Sequence, residues 1–214
     1  MFIGHYGVSF AARDRAPGVS LGWLFVAVQL VDVLFMAFLL AGVEHMRIVP
    51  GFTAFNPYDL YDMPITHSLV GALGWSVAAA IVARALRRST AASLVVGLAV
   101  FSHFLLDVPM HTPDMTLAGA GTPRLGLGLW NHRAASLAAE LAVLGAGAFV
   151  YARRRRPLPP RFFVFLAVLA AIALATPFMP PPGSVAAFAA QALAAYLGFA
   201  WWAAWVDRGA RAAG

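Results

Sequence analysis

Cysteine is absent from this chain of 214 residues. That excludes disulfides, thiolate metal sites, zinc fingers and cysteine nucleophiles together. Lysine is absent as well, so all fifteen basic residues are arginine. Charge is scarce: Asp, Glu, Lys and Arg make up 11% of the residues and apolar types 61%, against about 25% and roughly 45–50% in an ordinary soluble domain. So short a chain has too little interior to hide that much apolar surface, and lipid must cover some of it. A soluble enzyme, a disordered regulator and a secreted disulfide scaffold do not fit. The sequence also lacks H-E-x-x-H, G-x-S-x-G and any Walker loop, which removes support for serine-hydrolase and nucleotide-hydrolysing chemistry. Any metal site must be built from six histidines and nine acidic residues.

What is present is long apolar runs. Six stretches, at about 21–43, 66–86, 91–110, 134–152, 162–180 and 184–206, reach the ~20 residues needed to cross a bilayer. Breakers separate them: Pro50, Gly51, Asn56 and Pro57 in one loop, Gly121 and Pro123 in another, Pro157, Pro159 and Pro160, then Pro180 to Gly183. Arginine near the span ends sets the orientation. One side collects Arg13, Arg15, Arg84, Arg87, Arg88, Arg153 to Arg156, Arg161, Arg208 and Arg211, twelve in all; the other holds Arg47, Arg124 and Arg133. This split predicts an all-α integral membrane protein with six transmembrane helices and both termini cytoplasmic. Loops 44–65 and 111–133 then lie outside. It also makes the run Arg153 to Arg156 a topological signal rather than a nucleic-acid contact.

Residues 2–12 are too apolar for a free tail and too short to span, and no cleavable signal precedes them. They read as a half-inserted helix dipping into the bundle, a placement that survives only inside protein. The whole chain forms one polytopic domain. Residues 1–112 with 132–152 make a polar core, and 161–206 a scaffold hairpin whose only strongly polar interior side chain is Gln191. Trp201, Trp202 and Trp205 suit an interfacial aromatic belt.

Ionisable groups within spans are costly, roughly 2.5–3.5 kcal/mol each on insertion scales. This chain nevertheless places Asp32 mid-span, His103 and Asp107 in the third span, Glu140 in the fourth, His67 and His132 at span openings, and His5 in the half-helix. His103 and Asp107 are four apart and share a helix face, which His111 extends. Gln29 and Asp32 are three apart and share another. Helical rise brings these residues to comparable depths between mid-membrane and the outer interface. An isolated histidine at a helix start, such as His132, serves as readily as a cap. Glu44 and His45 at a span end, and Asp59 and Asp62 in a loop, read as solvated. A structural ion-pair network is the plain alternative for Asp32, His103 and Asp107. Spacing does not decide whether His111, His132 and Glu140 join them.

Neutral imidazole and carboxylate together suit a divalent metal, zinc first, with manganese or iron as alternatives. Such a cation activates water and polarises a phosphoryl or carbonyl oxygen, and Asp107 or Glu140 would manage protons.

Four segments occur in order: Gly4-His5-x-x-x-Ser9, Asp32 in the first span, Thr66-His67-Ser68-Leu69 opening a helix, and Ser102-His103-x-x-x-Asp107. Over about residues 1–112 this resembles the YdjM-like family of inner-membrane, metal-dependent hydrolases. The resemblance implies a multi-pass protein of the inner (plasma) membrane with His5, Asp32, His67, His103 and Asp107 as metal ligands. The chain departs from the family's Pro-Asp-x-Asp motif, having Val31-Asp32-Val33-Leu34, and lacks a basic residue before Thr66-His67. The expected substrate is a lipid ester or phosphoester, with membrane lipid as the partner and no nucleic acid. Two other readings use the same residues: a proton- or ion-coupled transporter, and a scaffold whose polar network only fixes helix packing.

Overall fold

The computed structural model describes residues 1–119 and 121–208; Arg211, one of the twelve orienting arginines, lies outside them. Helices dominate, at 66% of the residues. In chain order they are α1 (His5–Ala12), α2 (Leu21–Val28), α3 (Leu30–Ala41), α4 (Leu69–Ala85), α5 (Thr90–Met110), α6 (Arg133–Arg154), α7 (Pro160–Ala175) and α8 (Val185–Asp207). The two long polar loops each fold into a small antiparallel pair. β1 (His45–Ile48) pairs with β2 (Tyr58–Asp62), and β3 (Met115–Thr116) with β4 (Arg124–Leu125).

Four of the expected spans are helices long and apolar enough to cross a membrane: Thr90–Met110, Arg133–Arg154, Pro160–Phe178 and Val185–Asp207, the third extended by a 3₁₀ turn. The other two differ from expectation. Residues 21–41 form two helices bent by 56°, counted as one broken span or a re-entrant segment. The break is at Gln29, whose backbone (φ −103°, ψ 6°) leaves the α region and whose buried side chain donates to the Phe2 carbonyl at 3.3 Å. α4 has 17 residues, about 26 Å of rise against a hydrocarbon core of about 30 Å.

Polarity runs opposite to that of a soluble protein. Val70, Val77 and Ile81 on α4, Leu94, Leu98 and Leu105 on α5, Phe163 on α7 and Trp201 on α8 face outward, while His5, Gln29, His103, Asp107 and Glu140 are buried. Apolar surface on this scale needs lipid around it. The membrane character read from composition therefore holds.

The apolar segment 2–12 is indeed a short buried helix. α1 lies against α6 with glycine facing glycine. A Cβ on Gly7 would run into the Val143 carbonyl, and one on Gly147 into the backbone of Gly7. Ser9 adds a hydrogen bond to the Leu24 carbonyl at 2.9 Å, tying α1 to α2.

At the arginine-rich end the structure corrects one reading. Arg155 does more than orient the chain, because it is buried in an ionic knot. Asp207 accepts from Arg13 Nε (2.7 Å), the Leu21 amide (3.2 Å), Tyr151 Oη (3.2 Å) and Arg155 (3.3 Å), and Arg155 also bridges to Asp14 at 2.8 Å. The knot joins the segment after α1 to the ends of α6 and α8.

Gly147→Ala should lower stability by about 1–3 kcal/mol through overpacking, read as a lower melting temperature in detergent. Gly145→Ala, where a new Cβ meets nothing within 4 Å, should leave the melt unchanged or slightly raised.

Candidate metal centre

Each sequence-selected ligand comes from a different local device. α1 carries His5 inward. The break at Gln29 starts a new helix, putting Asp32 in the first turn of α3, where the positive end of the helix dipole favours a carboxylate. Thr66-His67 precedes α4, whose cap Ser68 accepts from the Gly71 amide at 3.0 Å. One face of α5 presents His103 and Asp107, and His111 caps its end.

These side chains converge. Ligand atoms of His5, His103 and Asp107 lie within 4.8 Å of one another, and so do those of Asp32, His67 and His103. Asp107 sits between the rings. Its Oδ1 is 3.2 Å from His5 Nε2, and its Oδ2 is 3.0 Å from His103, 3.6 Å from His111 and 3.9 Å from His67. Asp32 Oδ1 is 3.4 Å from His67 Nε2 and 3.5 Å from His103 Nε2. The Met1 amine also contacts Asp107. His5 stacks on His103 at 4.0 Å between ring centroids.

The outer ring nitrogens fix the inner ones. His103 Nδ1 donates to the Val28 carbonyl at 2.7 Å. That carbonyl belongs to the last turn of α2, where carbonyls lack helical donors, so the broken span supplies the acceptor. Thr66 Oγ1 donates to Glu44 Oε2 at 2.7 Å and accepts from His67 Nδ1 at 2.8 Å. His111 Nδ1 donates to Asp114 Oδ1 at 2.9 Å. In each neutral ring the remaining Nε2 then carries a lone pair directed at the carboxylates.

With the rings neutral, lone pairs face lone pairs. His103 Nε2 and both nitrogens of His5 are buried without a hydrogen-bond partner, although carboxylate oxygens lie close by. Buried polar atoms rarely go unsatisfied. A cation among His5, His103 and Asp107, or among Asp32, His67 and His103, would satisfy three of these side chains at once, and the nitrogen and oxygen donors suit a divalent metal. The buried group could hold a metal ion. His111 borders it. Burial pulls its imidazolium pKa down, but the Asp114 and Asp107 carboxylates outweigh that and raise it, so a proton competes with a cation there.

Glu140 plays a different part from its neighbours. Its oxygens accept the Phe2 and Gly4 amides at 2.8 and 2.5 Å, which positions the segment leading to His5. His132 is exposed at the start of α6 and does not enter the cluster. Glu44 was expected to be solvated and is instead buried. It accepts the Ile65 and Thr66 amides at 2.7 and 2.9 Å, because the turn before α4 leaves those donors to be satisfied. His45, Asp59 and Asp62 do lie toward solvent in the loop between α3 and α4, in pairs of His45 with Asp62 and Arg47 with Asp59.

Sequence reasoning missed the supporting layer. Thr66 beside His67, and Asp114 three residues after His111, carried a local signal. Glu44 and the Val28 carbonyl carried none. Nor did Tyr196 of α8, which donates to Asp32 Oδ2 at 3.2 Å and so brings the supposed scaffold hairpin to the site. A cavity of about 480 Å³ opens from the cluster; Asp32, His67, Asp107, His111 and Glu140 line its polar end.

No protein-family model, curated protein or solved structure matches the chain. The arrangement itself therefore carries the functional reading.

Thr66→Val removes the acceptor that orients His67 while keeping the shape of the side chain. It should weaken divalent-metal binding by about 10–100-fold, as loss of such supporting partners does, and lower the melting temperature without metal, because the buried Glu44 carboxylate loses the Thr66 hydroxyl as well. Isothermal titration of the purified protein measures it.

Proposed function

We propose that this chain is an integral-membrane, metal-dependent hydrolase of the YdjM-like kind, acting on an ester or phosphoester of a lipid. It crosses the inner membrane six times, with both termini cytoplasmic. The shorter α4 and the bent α2–α3 pair count as spans in this reading. The observation that carries it is the convergence of bare imidazole nitrogens and two carboxylates in an apolar interior.

His5, Asp32, His67, His103 and Asp107 would hold the metal, zinc by preference. When bound, a divalent cation of this kind lowers the pKa of water toward about 7 and polarises the oxygen of a scissile ester. The chain does the rest. Val28, Thr66 and Asp114 hold three rings in one tautomer. Tyr196 occupies Asp32 Oδ2 and leaves Oδ1 facing the cluster. Asp107, central and in reach of four rings, is placed to take and return a proton. Glu140 lines the cavity and holds the segment carrying His5.

A second reading, a proton- or ion-coupled transporter, draws on the broken α2–α3 helix, since discontinuous helices build ion sites in transporters. The two separate in reconstituted vesicles. Wild-type protein should release headgroup or phosphate from lipid phosphoesters without pH-driven flux. Flux without turnover would establish the transporter instead.

Elemental analysis should find divalent metal in purified wild-type protein and none in the His67→Ala/His103→Ala double variant. Metal-free wild-type protein that cannot be reloaded would end the hydrolase reading.

A further inference from the structure

The cavity beside the cluster is polar at one end only. Much of the rest of its wall is made by Met36, Phe55, Phe188 and Phe199, with Phe35 packed against His67. Asn56, Thr176 and Gln191 interrupt an otherwise apolar surface. Three alanines, Ala175 on α7 and Ala192 and Ala195 on α8, complete it. Their short side chains leave room where a larger residue would close the space.

Its course follows α8. Tyr196 reaches the cluster through Asp32, and Gln191 lies five residues earlier, about 7.5 Å along the helix axis. Beyond that the lining passes to Met179, Pro180 and Pro182 at the turn between α7 and α8, where Met179 is 64% exposed. The cavity thus runs from a buried charged end to the tip of the hairpin. Its volume of about 480 Å³ falls within the roughly 300–1,000 Å³ of small-molecule sites, which are likewise mostly apolar with a few convergent polar groups.

A small hydrophilic substrate, or a hydrated ion on its way through, would leave most of this wall unmatched. A molecule with a polar head and an apolar body matches both ends. Resting on the hydrolase reading, we propose that this cavity receives one hydrocarbon chain of the substrate, laid along the α7–α8 hairpin with the scissile head at the His/Asp cluster. The hairpin is then the part of the protein that selects the substrate. Ala175 and Ala192 set how bulky its chain can be, and Gln191 offers an amide on α8 for a polar group partway along it.

The test uses a long-chain alkyl phosphate with a photoactivatable diazirine at the chain end, added to full-length protein in lipid nanodiscs. Labelled peptides are mapped by mass spectrometry, and bound metal is measured on the same samples. Labelling is expected around Phe188 and Ala192 on α8 and Met36 on α3, and excess unlabelled alkyl phosphate should suppress it. Ala192→Trp fills the cavity and should cut this labelling about tenfold or more, the scale of overpacking a fitted site, with metal content unchanged. Ala175→Trp fills it from α7 and keeps the test decisive if the first variant does not fold. Labelling confined to lipid-facing positions such as Leu98 and Leu197, or unaffected by either tryptophan, overturns the proposal. Metal-free protein that still labels in an Ala192-dependent way keeps the chain site and removes the hydrolase. Metal-loaded, active protein labelled only at lipid-facing positions does the reverse.

Discussion

The structure depends on one electrostatic constraint: hydrogen-bond acceptors gathered in an apolar interior repel one another unless something positive lies between them. His103 Nε2, His5 Nε2, Asp32 Oδ1 and both oxygens of Asp107 share a few ångströms of buried space. Much of the surrounding architecture is legible as the apparatus that forces them together. The first span is broken so that one half-helix ends in a carbonyl for His103 and the next begins with Asp32. α1 is wedged against α6 through Gly7 and Gly147, a crossing that side chains would hold apart. Glu140 grips two amides of the same segment. At the opposite end Asp207 binds the chain after α1 to the ends of α6 and α8, so the wedge is held from both sides.

Such an assembly opposes the solvent around it. Each ionisable group inside a bilayer costs roughly 2.5–3.5 kcal/mol on insertion scales, and no lysine or arginine stands at the cluster to offset this among the described residues; the Met1 amine is the cationic group there. At the arginine-rich end, by contrast, Arg13, Arg155, Asp14 and Asp207 close into a neutral knot. The contrast separates a packing network, where every charge has its counter-charge, from a site that presents unmet acceptors.

The membrane class and most helix positions were legible in the sequence because apolar runs bounded by proline and arginine are long-range averages that no single contact overrides. The grouping of His103 with Asp107 was legible because it is local, one turn of one helix. The break at Gln29 was not. Residues 21–41 are apolar throughout, and nothing in that pattern reveals that Gln29 turns to the Phe2 carbonyl. The supporting acceptors were equally hidden. Glu44 stands at a helix end like any solvated acid, and its burial follows from where the turn before α4 lands. Tyr196 looks like one more aromatic in an apolar helix until the bundle closes and its hydroxyl meets Asp32. Contacts distant in sequence and made by a single atom leave no periodic trace.

The hydrogen bonds behind the rings also bear on what the site does with charge. A histidine that relays protons receives one at one nitrogen and surrenders another from the opposite side, so its outer nitrogen must face a group that accepts the proton and passes it on. His103 faces the Val28 carbonyl, which accepts a hydrogen bond and conveys nothing further. His67 faces a Thr66 hydroxyl whose own proton is already given to Glu44. Both rings are locked with their outer protons in place and can change state only at Nε2, on the inside of the cluster. That arrangement suits a buried group that could hold a metal ion. It also concentrates proton movement on the groups that remain free to exchange: the carboxylate of Asp107, and His111, whose outer partner is itself an acid.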